Sequence, residues 1–214
     1  MSVIQNPVQV ITRHMVTPAS EIAIDYPYVL GIPNGFVQQK INNTILMLVN
    51  SLMEEQIQRL VAQGYAYPIK ATMQGWYEIK TNERGILSLS VGNYTYPYPA
   101  AHGLTIIRSL TFDVNTGRLY KLNDLFKQGS NYVKAISIII QEQIKMRNIS
   151  TLNGFSEINP DQDYYIADKA LVVYFQLYEI TPYVYGFPFF PISVYELDDI
   201  IDENGPLGKM IINT

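Results

Sequence analysis

Residues 86–113 read ILSLSVGNYTYPYPAAHGLTIIRSLTFD. Leu87, Leu89 and Val91 alternate with Ser88, Ser90 and Gly92, the period-two pattern of a strand with one apolar face. Leu104, Ile106, Leu110 and Phe112 repeat that pattern on a second strand. Between the two runs lies Tyr96-Pro97-Tyr98-Pro99-Ala100-Ala101-His102-Gly103, a loop rich in tyrosine and proline. The strand run predicts antiparallel pairing, because a loop of this length cannot hold the crossover helix that parallel neighbours need.

Moving toward the N-terminus, the next strand runs from Ile69 to Lys80, with the turn Thr81-Asn82-Glu83-Arg84-Gly85 joining it to Ile86. Before it comes a long helix. Asn34 is the expected N-cap, Val37, Ile41, Ile45, Leu48 and Leu52 step at helical spacing, and Gly64 is the expected stop. Val49, Ile57, Leu60 and Val61 widen the apolar stripe. Two short strands precede the helix: Val8 to Val16, broken by Pro18, and Ile22 to Tyr26.

Toward the C-terminus, Leu122-Asn123-Asp124-Leu125-Phe126 suits a short helical turn. Ser130 is the expected cap of a second helix whose stripe is Tyr132, Ile136, Ile139, Ile140 and Ile144. Tyr164–Ala167 and Ala170–Leu177 read as a hairpin about Asp168-Lys169. Thr181 to Pro188 is a second aromatic loop, Phe189–Val194 a last strand and Tyr195–Ile201 a short helix. The expectation is an α+β fold with mostly antiparallel sheets, two long helices and two intimately packed subdomains. The expected boundaries are a strand–helix–hairpin subdomain over 1–95, a second subdomain over 96–201 and a tail over 202–214.

Composition excludes several kinds of function. The chain of 214 residues has no cysteine, which removes disulfides, thiolate nucleophiles and cysteine metal sites. The net charge of −4 comes from five acids, Glu196, Asp198, Asp199, Asp202 and Glu203; residues 1–195 hold 14 acids and 14 bases. A neutral body offers nucleic acid no basic face, and no polybasic patch faces a membrane. No run approaches the roughly 20 apolar residues of a spanning helix. Residues 1–16 lack the apolar core of a signal peptide, so the expected location is the cytoplasm.

Few residues carry reactive chemistry. The histidines are His14, expected at a surface or strand edge, and His102, expected to hydrogen-bond within its own loop. Ser88, Ser90 and Ser109 lie near His102, but none sits in a nucleophile elbow. Asn159, Asp161 and Asp163 mimic the opening of a calcium loop, yet Tyr164 and Ala170 stand where glycine and glutamate are required, so a turn is the better reading. No cofactor and no metal is expected. Asn42, Asn93 and Asn148 lie in glycosylation sequons.

The anomaly is tyrosine, 17 of them, concentrated with proline in the two loops. Aromatic clusters of this kind serve recognition, or they cap a sheet by packing on each other.

An ordered series of motifs also stands out: Ala101-His102-Gly103, Thr111-Phe112-Asp113 with Thr116-Gly117, Leu122 to Phe126, Leu171 to Phe175, Tyr178 to Tyr183 with Gly186, and Pro191-Ile192. The series resembles the bacterial domain of unknown function 3298, the RsiV-like module of a lysozyme-sensing anti-sigma factor ectodomain and of the accessory region of PdaC. Residues 24–41 resemble the partner domain that usually precedes it. The resemblance implies a non-catalytic module that binds a lysozyme-like protein or a peptidoglycan-type glycan, and family members are usually extracytoplasmic. It also implies that the two aromatic loops share one end of a sheet, which makes Tyr98, His102, Glu179, Tyr183, Tyr185 and Phe187 the candidate ligand face. Two alternatives stand beside it: a hydrolase using His102 and Glu179, and a cytoplasmic structural or regulatory protein without a retained ligand.

Overall fold

The computed structural model describes residues 7–17, 21–65 and 69–211. The chain is α+β. A six-stranded sheet has the order β1 (Gln9–Thr17), β2 (Ile22–Leu30), β3 (Ala71–Glu83), β4 (Ile86–Pro97), β5 (Leu104–Asp113) and β6 (Arg118–Leu119). Every pairing in it is antiparallel except β2–β3, because the long helix α1 (Gly35–Ala62) carries the chain over as a crossover between them. The break expected at Pro18 lies outside the described residues.

Asn34 caps α1, accepting from the Phe36 and Val37 amides through its side chain. Val37, Ile41, Ile45, Val49 and Leu52 bury one stripe against Leu87, Leu89, Val91, Ile106 and Phe112, and Leu60 is buried further along the helix. Ile57 and Val61, expected to widen that stripe, are exposed instead. Each follows a buried residue, Gln56 and Leu60, by one position, and a step of one rotates a side chain about 100° around the helix. Asn42 is buried in the contact and spans β2 alone, accepting from Val29 N at 2.7 Å and donating to Val29 O at 2.9 Å.

The second sheet has the order β7 (Tyr164–Ala167), β8 (Ala170–Tyr174) and β9 (Phe189–Ser193), antiparallel throughout. Helix α2 (Tyr132–Met146) packs Ile136 and Ile140 into a core with Leu171, Val173, Phe190 and Ile192. Its cap is Asn131, not Ser130: the Asn131 carboxamide accepts from the Lys134 amide. The helix expected over Tyr195–Ile201 shrinks to a 3₁₀ turn at Val194–Glu196.

β4 joins the two cores. Its alternation suggested one wet face, yet the serine face is buried as well. β7 brings its free edge against that face. Ile166 N–H donates to Ser88 Oγ at 3.0 Å, Thr81 Oγ1 donates to Ile166 O at 2.9 Å, and Asp168 N–H donates to Thr81 Oγ1 at 3.0 Å. Buried backbone groups of an edge strand need partners, and the hydroxyls supply them where valine could not. Ser88 also pairs with Thr111 at 2.9 Å.

The seam expected near Tyr96–His102 falls inside the large sheet, since β4 and β5 on either side of it are paired from Ile86↔Asp113 to Thr95↔Leu104. The two hydrophobic clusters divide elsewhere: Val114 is the last member of one, and the other, apart from Ile86, takes up the chain from Leu122. Residues beyond Asp202 are not a loose tail, because Leu207 and Met210 are buried in the second core. A 3₁₀ turn at Gly208–Met210 and the Arg84 guanidinium, which donates to Lys209 O at 2.7 Å, pin this segment down.

Candidate functional site

Two loops meet at the N-terminal end of β5. The first, between β4 and β5, is braced by short local bonds. Tyr96 OH donates to Ala100 O at 2.8 Å, and Tyr65 OH, just past α1, donates to Pro99 O at 3.2 Å. His102 Nδ1 lies 3.1 Å from Gly103 O, the within-loop contact expected for it. Gly103 is required by close approach: a Cβ there would stand 2.5 Å from the Tyr94 ring and 2.6 Å from Thr95 O. Below the loop, buried Gln56 of α1 donates to Asn93 O and Leu104 O, holding the two strand ends together.

The second loop follows β8 and is anchored to β5 by Gln176. Its carboxamide accepts from Ile107 N at 3.2 Å and donates to Ile107 O at 2.6 Å, as a neighbouring strand would. The loop turns through a 3₁₀ turn at Tyr183–Tyr185 and closes at Gly186, whose φ of +64° is the left-handed conformation that glycine adopts without cost. Tyr178, at φ +65°, also has a positive φ, with a bulky side chain, a strained choice.

The loops touch through their rings. His102 stacks on Tyr183 at 5.0 Å and 27°, and Tyr183 stacks on Tyr178 at 5.5 Å and 29°. The two loops thus meet, but from two sheets rather than at one end of a single sheet as expected, since β5 belongs to the six-stranded sheet and β8 to the three-stranded one. Tyr98 is 70% exposed, Tyr183 41% and Tyr185 42%; Val184, at 86%, projects between them. Beside the stack, Thr105, Leu177, Pro182, Val184 and Phe187 line an open apolar groove of about 770 Å³. Tyr98 shares no ring contact with the stack. Tyr185 OH accepts from the Ser150 amide at 3.2 Å, and its hydrogen bonds with Ser150 lower the phenol's pKa.

Glu179 does something other than expected. One carboxylate oxygen accepts from Gln176 N at 2.6 Å and the other from the Gln162 carboxamide at 3.1 Å, so it locks the start of the second loop. It shares no hydrogen bond with His102, and the pair on which hydrolysis would depend is not formed. Sequence reasoning missed Tyr178 and Val184. Tyr178 was legible only as the neighbour of Glu179, and Val184 only as an apolar residue inside a polar turn.

Beneath the groove runs a charged seam. Arg108 of β5 reaches Glu55 of α1 and Asp163 ahead of β7, each at 3.3 Å, and Gln176 also donates to Asp163 at 2.8 Å. Burial raises the Asp163 pKa above the usual carboxylate value, outweighing the opposing pull of Arg108. Ser109 Oγ lies 2.5 Å from Tyr174 OH, whose pKa burial pushes well up. Ser88 and Ser109 are thus spent on structure.

The calcium-like run is a turn: Asn159 Oδ1 accepts from Asp161 N at 2.9 Å. Among the described residues no three His, Asp or Glu side chains converge in metal-holding geometry. No described helix is long and apolar enough to cross a membrane. Of the three sequons, Asn42 and Asn93 are buried, and only Asn148 is exposed.

The aromatic surface is built by loops from two packed sheets of an α+β fold. Two family models match successive parts of the chain: residues 15–105 match the family described as deacetylase PdaC, and residues 123–195 match the protein of unknown function DUF3298. A DUF3298 family member from Bacteroides fragilis has the same fold at a TM-score of 0.69 and 14% identity, covering 97% of this chain and 99% of that one. A second, from Pseudomonas aeruginosa, aligns at a TM-score of 0.66 and 14% identity, covering 98% of each chain. No curated protein matches the chain significantly. The aromatic site draws on both matched regions, with Tyr98 and His102 in the first and Glu179, Tyr183, Tyr185 and Phe187 in the second.

Proposed function

We propose that the chain is a non-catalytic binding module whose ligand face is the aromatic surface of Tyr98, His102, Tyr178, Tyr183, Val184, Tyr185 and Phe187. The observation that supports this most is the His102–Tyr183–Tyr178 stack, which fixes exposed rings on a braced scaffold beside an apolar groove. Rigid tyrosines give large contact area at small entropic cost, and such anchors dominate protein interfaces. The outward Val184 favours a protein partner over a glycan, since an isolated branched aliphatic side chain has little to offer a sugar. A lysozyme-like protein is the first partner, on the strength of the family resemblance; wall glycan is the comparator.

The test is calorimetry of the whole chain against lysozyme and against soluble peptidoglycan fragments. Lysozyme should bind. The Tyr183→Ala/Tyr185→Ala variant should weaken it more than about 100-fold, as expected for loss of two anchors, and melt close to the parent. Binding of glycan alone, binding of neither, or a double variant that binds unchanged would overturn the reading. Should the double variant unfold, Val184→Ser, on a side chain almost wholly in solvent, carries the same test.

A further inference from the structure

β5 runs away from the aromatic loops, and at its far end, about 30 Å along a ten-residue strand, the chain forms a second concavity. It lies between the segment around β6, the approach to α2 and the turn after Ile201, and has a volume of about 520 Å³, well within the ~300–1,000 Å³ of small-molecule sites. Nothing in the aromatic surface uses it.

Its lining is polar and its charges are spoken for. Arg118 is paired with Asp124 at 2.8 Å, and Lys127 with Glu203 at 3.6 Å while also donating to Asp199 O at 3.1 Å. Asp202 accepts from the Asn204 amide at 3.0 Å. What the wall leaves unspent is neutral. The side-chain carboxamides of Asn123, Gln128 and Asn204 make no hydrogen bond within the described residues, and Ser130 Oγ has no partner. Aromatic rings complete the wall: Tyr120, and Tyr132 backed by Phe126 in a parallel stack at 5.1 Å and 8°. The Tyr132 hydroxyl is held by Pro160 O at 3.0 Å, which fixes the ring in place.

Carboxamides both donate and accept, so three of them match a ligand whose hydroxyls do the same. Ring walls match a ligand that also has C–H faces. Balanced charge disfavours an anion or a cation, which would have to break an existing ion pair. We propose that this pocket binds a short neutral saccharide, independently of the aromatic surface.

The experiment uses the whole chain, with saturation-transfer NMR and calorimetry against N,N′-diacetylchitobiose and maltose, and with glucuronate and inorganic phosphate as charged comparators. At least one neutral disaccharide should bind. Asn123→Ala/Asn204→Ala should weaken it at least about tenfold, as expected for two lost hydrogen-bonding groups, with an unchanged melt. Tyr183→Ala should leave it intact. The proposal falls if neither disaccharide binds, if a charged comparator binds more tightly, if the double variant keeps full affinity, or if Tyr183→Ala abolishes binding. If the double variant fails to fold, Gln128→Ala should weaken the same disaccharide severalfold, and no change there overturns the proposal.

Discussion

At the scale of single residues, acids at this site act as fasteners. Glu179 reaches back three residues to the Gln176 amide and across to Gln162. The first contact is a local cap visible in the spacing; the second depends on chain 17 residues away and is not. Asp163 shows what burial does to such a group. Its folded-state pKa lies above the ordinary 3.8, burial being the main cause. Below the unfolded value, folded and unfolded chains are both protonated, and the stabilising contribution is complete. It is lost as pH rises through the folded value, because the folded chain holds the proton longer. Relative to Asp163→Asn, the parent should therefore lose urea stability from about pH 4 upward until the folded-state group has ionised. Denaturation midpoints measured across that range give the answer, and parallel profiles for the two proteins would refute it.

Among the elements, α1 was the most legible, since a 3.6-residue stripe of Ile41, Ile45 and Leu52 admits few other readings. Asn42 lies in a sequon, and the structure puts it inside the helix–sheet contact, bonded to both backbone groups of Val29. Asn42→Ala would leave a buried N–H and a buried C=O without partners, a cost of about 2–6 kcal/mol at about 1–3 kcal/mol per orphaned group. Chemical denaturation should show that loss, and a change below about 0.5 kcal/mol would mean the Val29 groups find water. β4 was half legible. Its leucines were placed on the core face correctly, but nothing in the alternation says that the serines would be covered too. That follows from the arrival of β7, whose unpaired edge needs hydroxyls.

For the whole molecule, the two hydrophobic clusters are joined by that polar seam and by the Arg108 bridge from α1 to Asp163. Ile86 of the large sheet belongs to the second cluster, so residues 121–214 do not close their own core, and the buried serine face of β4 loses its cover without β7. Produced separately, residues 1–120 and 121–214 should each be insoluble or lack a cooperative melt, whereas the whole chain unfolds in one transition. A cooperatively folding 121–214 fragment would show that the seam is an interface between independent domains. The same coupling ties the aromatic surface to fold integrity, because His102 is supplied by the large sheet and Tyr183 by the loop after β8.

The sequence by itself determined the α+β class, the long helix with its cap, the strand-by-strand order of the elements and the family resemblance, because each rests on local periodicity, turn chemistry or motif order. It also marked the two aromatic loops. Only the tertiary structure decided where the cores divide, that the serine face of β4 is interior, that residues 202–211 pack, and that Glu179 is held by two amides instead of facing His102. Those outcomes depend on groups far apart in the chain meeting in space. A sequence pattern records which side chains can be buried, but not which distant backbone edge will arrive to cover them.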